Sequence, residues 1–136
     1  MFAIPGSGEY SLQPIFVEDI AALAIQVAQQ SENVVLDAVG PEAYSFNELV
    51  HCLKVAVGSR AYMVHVPPHI ALGLTRGISP FVKDIILTPD EVRGLLANLL
   101  VSSQSPTGTT SFSNWLASHS AGVGQCYASE LQRHFK

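Results

Sequence analysis

The sequence predicts an α/β fold that is helix-rich, with two or three short strands. Two observations carry that prediction. Short β-rich runs alternate with runs whose apolar residues recur at helical spacing, in the order strand, helix, strand, helix, strand, several helices. Two helix starts are also written out as capping boxes, Ser45 with Glu48 and Thr88 with Glu91.

In order along the chain, Gly6-Ser7-Gly8 suggests a turn, and residues 9 to 17 read as extended. Pro14 removes a backbone donor, so that run suits an edge or an irregular strand. From Glu18 to about Gln30, Ile20, Leu23, Ala24, Val27 and Ala28 fall at helical spacing, with Glu18 and Asp19 in the first turn, where acids suit the helix dipole. Residues 33 to 39, "NVVLDAV", are the clearest strand, bounded by Gly40-Pro41. A helix follows Ser45, with Phe46, Leu49, Val50, Leu53 and Val57 as its stripe and Gly58 as its stop. Residues 62 to 66, "YMVHV", read as another strand. The apolar stretch 66 to 87 is broken by Pro67, Pro68, Arg76, Pro80, Lys83 and Asp84, and reads as loop and short helices. Thr88-Pro89 opens a helix whose buried face is Val92, Leu95, Leu96, Leu99 and Leu100. Residues 102 to 111 are polar and turn-rich, a surface loop. A short helix capped by Ser111 comes next, then a tail in which Tyr127, Leu131 and Phe135, spaced four apart, dock as a helix.

The chain has 136 residues and reads as a single domain. Its charged fraction is 13% against 48% hydrophobic, which leaves apolar surface for a partner, a second copy or a ligand. The net charge of −4 and the scattered basic residues argue against nucleic acid. No apolar run is long enough to span a membrane. "MFAIPGSGEY" lacks the basic and apolar regions of a signal peptide. Two cysteines, Cys52 and Cys126, form no disulfide framework, so a reduced, cytoplasmic setting is expected.

Familiar catalytic patterns are missing. Gly6-Ser7-Gly8 starts like a dinucleotide fingerprint, but Ser11 stands where the third glycine belongs and the motif precedes a strand. No tyrosine is followed four residues later by lysine, so the pair that would let an ammonium lower a phenol's pKa is absent. His65 and His69 are separated by prolines, and no Cys-x-x-Cys or His-Glu-x-x-His occurs, so no metal is expected. Cys52, beside His51, reads as a small buried hydrophobe rather than a nucleophile. Asp19 reads as helix-start chemistry. Gln13 or Glu18 would face a cleft if the strand before it ends in an open sheet. Trp115 and Tyr127 anchor either a core or a ligand. Glu130 and Arg133 form a solvated pair one turn apart. Arg60 and Arg76 read as ordinary surface residues.

"PIFVEDIA", Pro14 to Ala21, resembles the strand-to-helix junction of the extended and atypical short-chain dehydrogenase/reductases, the NAD(P)-dependent epimerase/dehydratase-like proteins. "LDAVGPEAYSFNELV" (36 to 50) resembles that family's strand, Gly-Pro-Glu loop and Ser-Phe-x-Glu-Leu helix start, and "MVHVPPHIA" resembles a later strand and helix. The resemblance covers roughly residues 8 to 100. It implies a partial substrate-binding subdomain of a Rossmann-type reductase. In that reading 1–17 is a remnant of the nucleotide half's last strand, 18–101 is the substrate-side subdomain, and 102–136 is a loop and helical tail. Gln13 and Phe16 match positions that line the substrate cleft in that family, and Glu18, placed at a cleft by the strand-end rule alone, is the third substrate-binding candidate. Asp19, Gly40, Pro41, Glu42, Ser45 and Glu48 would be structural motif residues. The family's glycine-rich loop and catalytic Ser/Tyr/Lys set precede the position matched by Gln13, so no catalytic and no cofactor-binding residue is carried over. The parent family uses NAD or NADP, and this chain alone is expected to bind neither and to catalyse nothing. Its partner would be the missing nucleotide-binding half or further copies of itself. The rival expectation is a stand-alone interaction or oligomerisation module.

Overall fold

A computed structural model describes residues 1–82 and 88–125 of the chain. The docked tail expected from Tyr127, Leu131 and Phe135, the pair Glu130 and Arg133, and Cys126 lie outside the described residues, as do Lys83 and Asp84. The chain is a mixed α/β structure. β1 (Phe2–Pro5) pairs in parallel with β4 (Met63–Val66), Ile4 opposite His65. β2 (Ser11–Leu12) pairs antiparallel with β3 (Tyr44–Ser45), and Leu12 makes a further parallel bridge to Leu100. The helices are α1 (Val17–Ala28), α2 (Phe46–Ala56), α3 (Pro68–Val82), α4 (Pro89–Leu96) and α5 (Phe112–His119).

The capping boxes fold as the sequence predicts. Ser45 Oγ accepts from Glu48 N–H at 3.2 Å while the Glu48 carboxylate accepts from Ser45 N–H at 2.8 Å. Thr88 and Glu91 repeat the exchange at 3.2 and 2.7 Å. Gly58 stops α2 in the left-handed region, φ 62°. Ser111 caps α5 through Asn114 N–H.

Four short strands form among the described residues, where two or three were expected. β1 and the two-residue β3 are the additions; β1 is an apolar segment whose partner lies some sixty residues away, which no local pattern reveals. Its Ile4 is fully buried, and α3 packs against it. The Tyr10 ring sits 5.3 Å from Phe46, and Phe46 in turn 6.5 Å from Phe2. The Tyr10 hydroxyl donates to the Pro5 carbonyl at 3.1 Å, and burial pushes its pKa up.

Several expectations are corrected. Residues 33–39 join no ladder, although they have the strongest β pattern in the sequence, and Val35 is 94% exposed. They are tied only at the end of the run, where the Asp37 carboxylate accepts from Ser102 Oγ at 2.5 Å, the Asp37 carbonyl accepts from Thr107 Oγ1 at 2.9 Å, Val39 N–H donates to Thr107 Oγ1 at 3.1 Å and the Val39 carbonyl accepts from Gly108 N–H at 2.9 Å. Of residues 9–17 only Ser11 and Leu12 enter a ladder, and Pro14 to Phe16 run outside any strand. The prolines at 67 and 68 do not break the stretch that follows; Pro68 takes the first helical position, where a missing N–H costs nothing, and α3 runs for 15 residues. In α4 only Val92 of the expected face is buried. The helix ends at Leu96, Asn98 turns to φ 59°, and Leu99 is left 72% exposed. Asn98 is fixed there because its Oδ1 accepts from Ser11 N–H at 2.6 Å. Cys52 is half-buried. No helix among the described residues is long and apolar enough to cross a membrane.

α1 has the predicted apolar periodicity and the two acids in its first turn, yet none of its residues is buried. Val17, Ile20 and Ile25 are all substantially exposed. The helix is held at its start rather than along its length.

Candidate functional site

Residues Pro14 to Asp19 sit where three distant segments meet. Gly40 passes so close to Pro14 that a Cβ on it would fall 2.0 Å from the Pro14 carbonyl oxygen. That approach, not backbone conformation, demands glycine at position 40. Gln13 fastens the same crossing. Its Nε2 donates to the Gly40 carbonyl at 2.8 Å, its Oε1 accepts from Ser102 N–H at 3.1 Å, and its own N–H donates to Leu100 O at 2.9 Å. Both ends of the side-chain amide are therefore spent on backbone.

Two carboxylates organise the next layer. Asp19 does not cap its own helix; the capping position is Phe16, which makes no side-chain cap. Instead Asp19 Oδ2 accepts from the N–H groups of Thr109 and Thr110 at 2.9 and 2.8 Å, and Oδ1 from Thr110 Oγ1 at 3.2 Å. The Thr110 N–H is the main reason its pKa lies below the usual carboxylate value. Gly108 precedes this contact, and a Cβ there would meet Ile15 at 2.9 Å and Asp19 at 3.1 Å. The 102–111 segment is thus a clamp with a buried Gly108, not simply the surface loop its composition suggests.

Glu42 is the second carboxylate. It accepts from Ser111 Oγ at 2.8 Å, Ser113 Oγ at 2.6 Å, Ser113 N–H at 2.9 Å and Tyr44 OH at 2.6 Å. Burial alone would raise its pKa, but the Ser113 hydroxyl and then Tyr44, Ser113 N–H and Ser111 outweigh it and bring it down to about 2. Tyr44 is pushed up to about 12, by burial first and by its bond to Glu42 second. Its ring meets Phe112 edge-on at 5.8 Å.

These contacts leave two cavities that share Pro14 and Ile15 as a common wall. A groove of about 540 Å³ is lined by Leu12, Gln13, Leu36, Asp37, Leu99 and Ser102 among others. On the other side lies a pocket of about 300 Å³, walled by Phe16, Phe112 and Trp115 with Thr110 and Ser111. Of the expected substrate residues, Gln13 lines the groove and Phe16 the pocket, so the structure does not bring them into one cavity. Glu18 lines neither and is exposed. Among the expected motif residues, Gly40 and Glu42 join the site, Pro41 is exposed beside them, and Ser45 and Glu48 form the α2 cap, Ser45 also standing opposite Ser11 in the β2–β3 ladder. Sequence reasoning missed the pairing of Asp19 and Glu42 with the hydroxyl-rich run Thr107 to Ser113. The signal was present: two acids without nearby bases, and a segment dense in neutral donors. His65 bonds Asn47 Oδ1 through Nε2 at 2.9 Å, apart from this region. No group of three His, Cys, Asp or Glu side chains among the described residues could hold a metal.

The sequence matches no protein-family model and no curated protein. The functional reading therefore rests on the residues and their geometry.

Proposed function

We propose that this chain carries the substrate-side part of an NAD(P)-dependent oxidoreductase or epimerase-like protein, and that it works against a nucleotide-binding partner surface rather than alone. The observation that carries this reading is the uncovered apolar layer of α1 together with Val35 and Leu36. An amphipathic helix gains most of its stability by burying its apolar face, and this one buries no residue within the described chain. The resemblance around Pro14 to Ala21 supplies the identity of the missing cover, a nucleotide-binding sheet. The absence of a glycine fingerprint and of a Tyr-x-x-x-Lys pair from the sequence supports a chain that does not hold the dinucleotide itself.

The test is thermal unfolding of the chain with NADH or NADPH. A ligand bound at a hundred times its Kd stabilises by about 2.7 kcal/mol, a rise of several degrees in Tm for a domain of this size. The expected result is no saturable shift with either nucleotide. A saturable rise overturns the assignment.

A second reading, self-association, draws on the β1–β4 pair, which has only two strands and leaves its outer edges unpaired among the described residues. Sedimentation decides it: a compact monomer at high concentration counts against oligomerisation and leaves the partner-surface reading standing.

A further inference from the structure

The pocket beside α5 has features that the oxidoreductase reading does not use. Three of its walls are aromatic: Phe16 from the end of the 13–16 segment, and Phe112 and Trp115 from the first two turns of α5. Phe16 and Trp115 form a tilted pair, 6.4 Å between centroids and 41° between planes, and both still present ring surface to the cavity. The opposite requirement of Trp115 is already met, since His119 stacks on it at 4.7 Å and lies outside the pocket lining. All three aromatic walls are only half-buried. The volume, about 300 Å³, sits at the small end of ligand sites.

The charge behind those walls is one-sided. Thr110 and Ser111 line the pocket, and the side chains they bond are the carboxylates of Asp19 and Glu42. Among the described residues, every hydrogen bond to these two acids comes from a backbone N–H or from a Ser, Thr or Tyr hydroxyl. The ion pair found among those residues, Arg93 with Asp90, is elsewhere on the surface. Two negative charges thus stand one hydrogen bond behind an aromatic pocket, and among the described residues no Lys or Arg bonds either of them. Aromatic faces carry negative potential, and a cation over such a face is attracted the more when part of its hydration is removed.

We propose that the pocket between Phe16, Phe112 and Trp115 binds a small apolar organic cation, a methylated ammonium group, with Asp19 and Glu42 supplying the compensating charge. The aromatic rings contact the methyl surface. The carboxylates act through space and need not give up their bonds to Thr110 and Ser111. A free anion is excluded by the same field, and a neutral alkyl group of equal shape gains only the apolar contact. The inference uses this chain's own residues and stands without the oxidoreductase reading; the nicotinamide titration and the one below use different ligands, so either can fail alone.

Trp115 is the single tryptophan of the chain, which makes its emission a direct report on the pocket. Choline chloride is titrated against the intact protein at constant ionic strength, with 3,3-dimethylbutan-1-ol as the neutral molecule of the same shape. The expected result is a saturable change in emission with choline and binding weaker by about threefold to tenfold for the alcohol. Phe16→Leu and Phe112→Leu keep apolar volume but remove the ring face, and each weakens choline severalfold while leaving the alcohol little changed. Equal affinity for choline and the alcohol overturns the proposal, as does a choline response that never saturates. Unchanged choline binding in both folded variants overturns it too. Should a variant lose its circular dichroism, the comparison of the two ligands on the parent chain decides the matter by itself.

Discussion

Replacing Glu42 by Gln removes a charge while keeping the outline of the side chain. The carboxyl pKa of Glu42 falls from 4.5 to about 2 in the folded chain, which corresponds to roughly 3 kcal/mol in favour of the ionised form. The group is partly exposed, so solvent screening brings this to about 2 kcal/mol. An amide oxygen in the Oε2 position still accepts from Ser113 N–H and Tyr44 OH. The amide NH₂ then faces the Ser111 and Ser113 hydroxyls, which rotate to accept. Glu42→Gln therefore isolates the charge term, and about 2 kcal/mol is the expected loss at pH 7. The folded pKa is lower than the unfolded one, so this stabilisation is complete well above 4.5 and disappears as pH falls from there towards about 2. Urea unfolding of parent and variant, followed by circular dichroism at pH 7 and in steps down to about pH 3, measures the gap. The gap should hold while the pH stays well above 4.5 and shrink from there downwards. A gap of the same size at both ends, or none at pH 7, would refute the account of Glu42 as an ionised anchor.

Two glycine replacements should move stability in opposite directions. Gly40→Ala drives a methyl to 2.0 Å from the Pro14 carbonyl; a loss of about 3 kcal/mol is expected, seen as a fall of roughly 10 °C in Tm. Gly73→Ala lies in α3 with no neighbouring atom within 4 Å of its new Cβ. It should gain about 0.5–1 kcal/mol from helix propensity alone. A destabilised Gly73→Ala, or a neutral Gly40→Ala, would show that the local spacing is not what limits these positions.

Local chemistry was legible and long-range pairing was not. The starts of α2, α4 and α5 are written in residues three apart, Ser45 with Glu48, Thr88 with Glu91, Ser111 with Asn114, and each bond formed as the spacing implies. β1 failed to register because Phe2 to Pro5 has no signal of its own; it is a strand only because Met63 to Val66 lies beside it. Residues 33–39 failed in the other direction. Their β-branched run is genuine, but β propensity expresses itself only against a paired strand, and along Val34 to Ala38 the described chain offers side-chain hydroxyls of Ser102 and Thr107 to Asp37 but no strand. The site divides in the same way. Glu42 was marked as a motif residue without a partner, and Asp19 was given to the nearest helix end, because neither the Ser113 nor the Thr110 contact has a sequence-local trace. Their separations, 71 and 91 residues, lie far outside any window of periodicity.

Those separations also set an order of events during synthesis. α2 carries both halves of its capping box and can form within about a microsecond of leaving the ribosome. The ties at Val39, Asp19 and Glu42 wait for Thr107 to Ser113. Translation advances at about 5–20 residues per second, so α1, finished at Ala28, stays without its clamp for roughly 4–17 s. Throughout that interval the helix lacks even the tether at its start, and the clamp, once made, fixes its direction while leaving Val17, Ile20 and Ile25 as open to a neighbour as before.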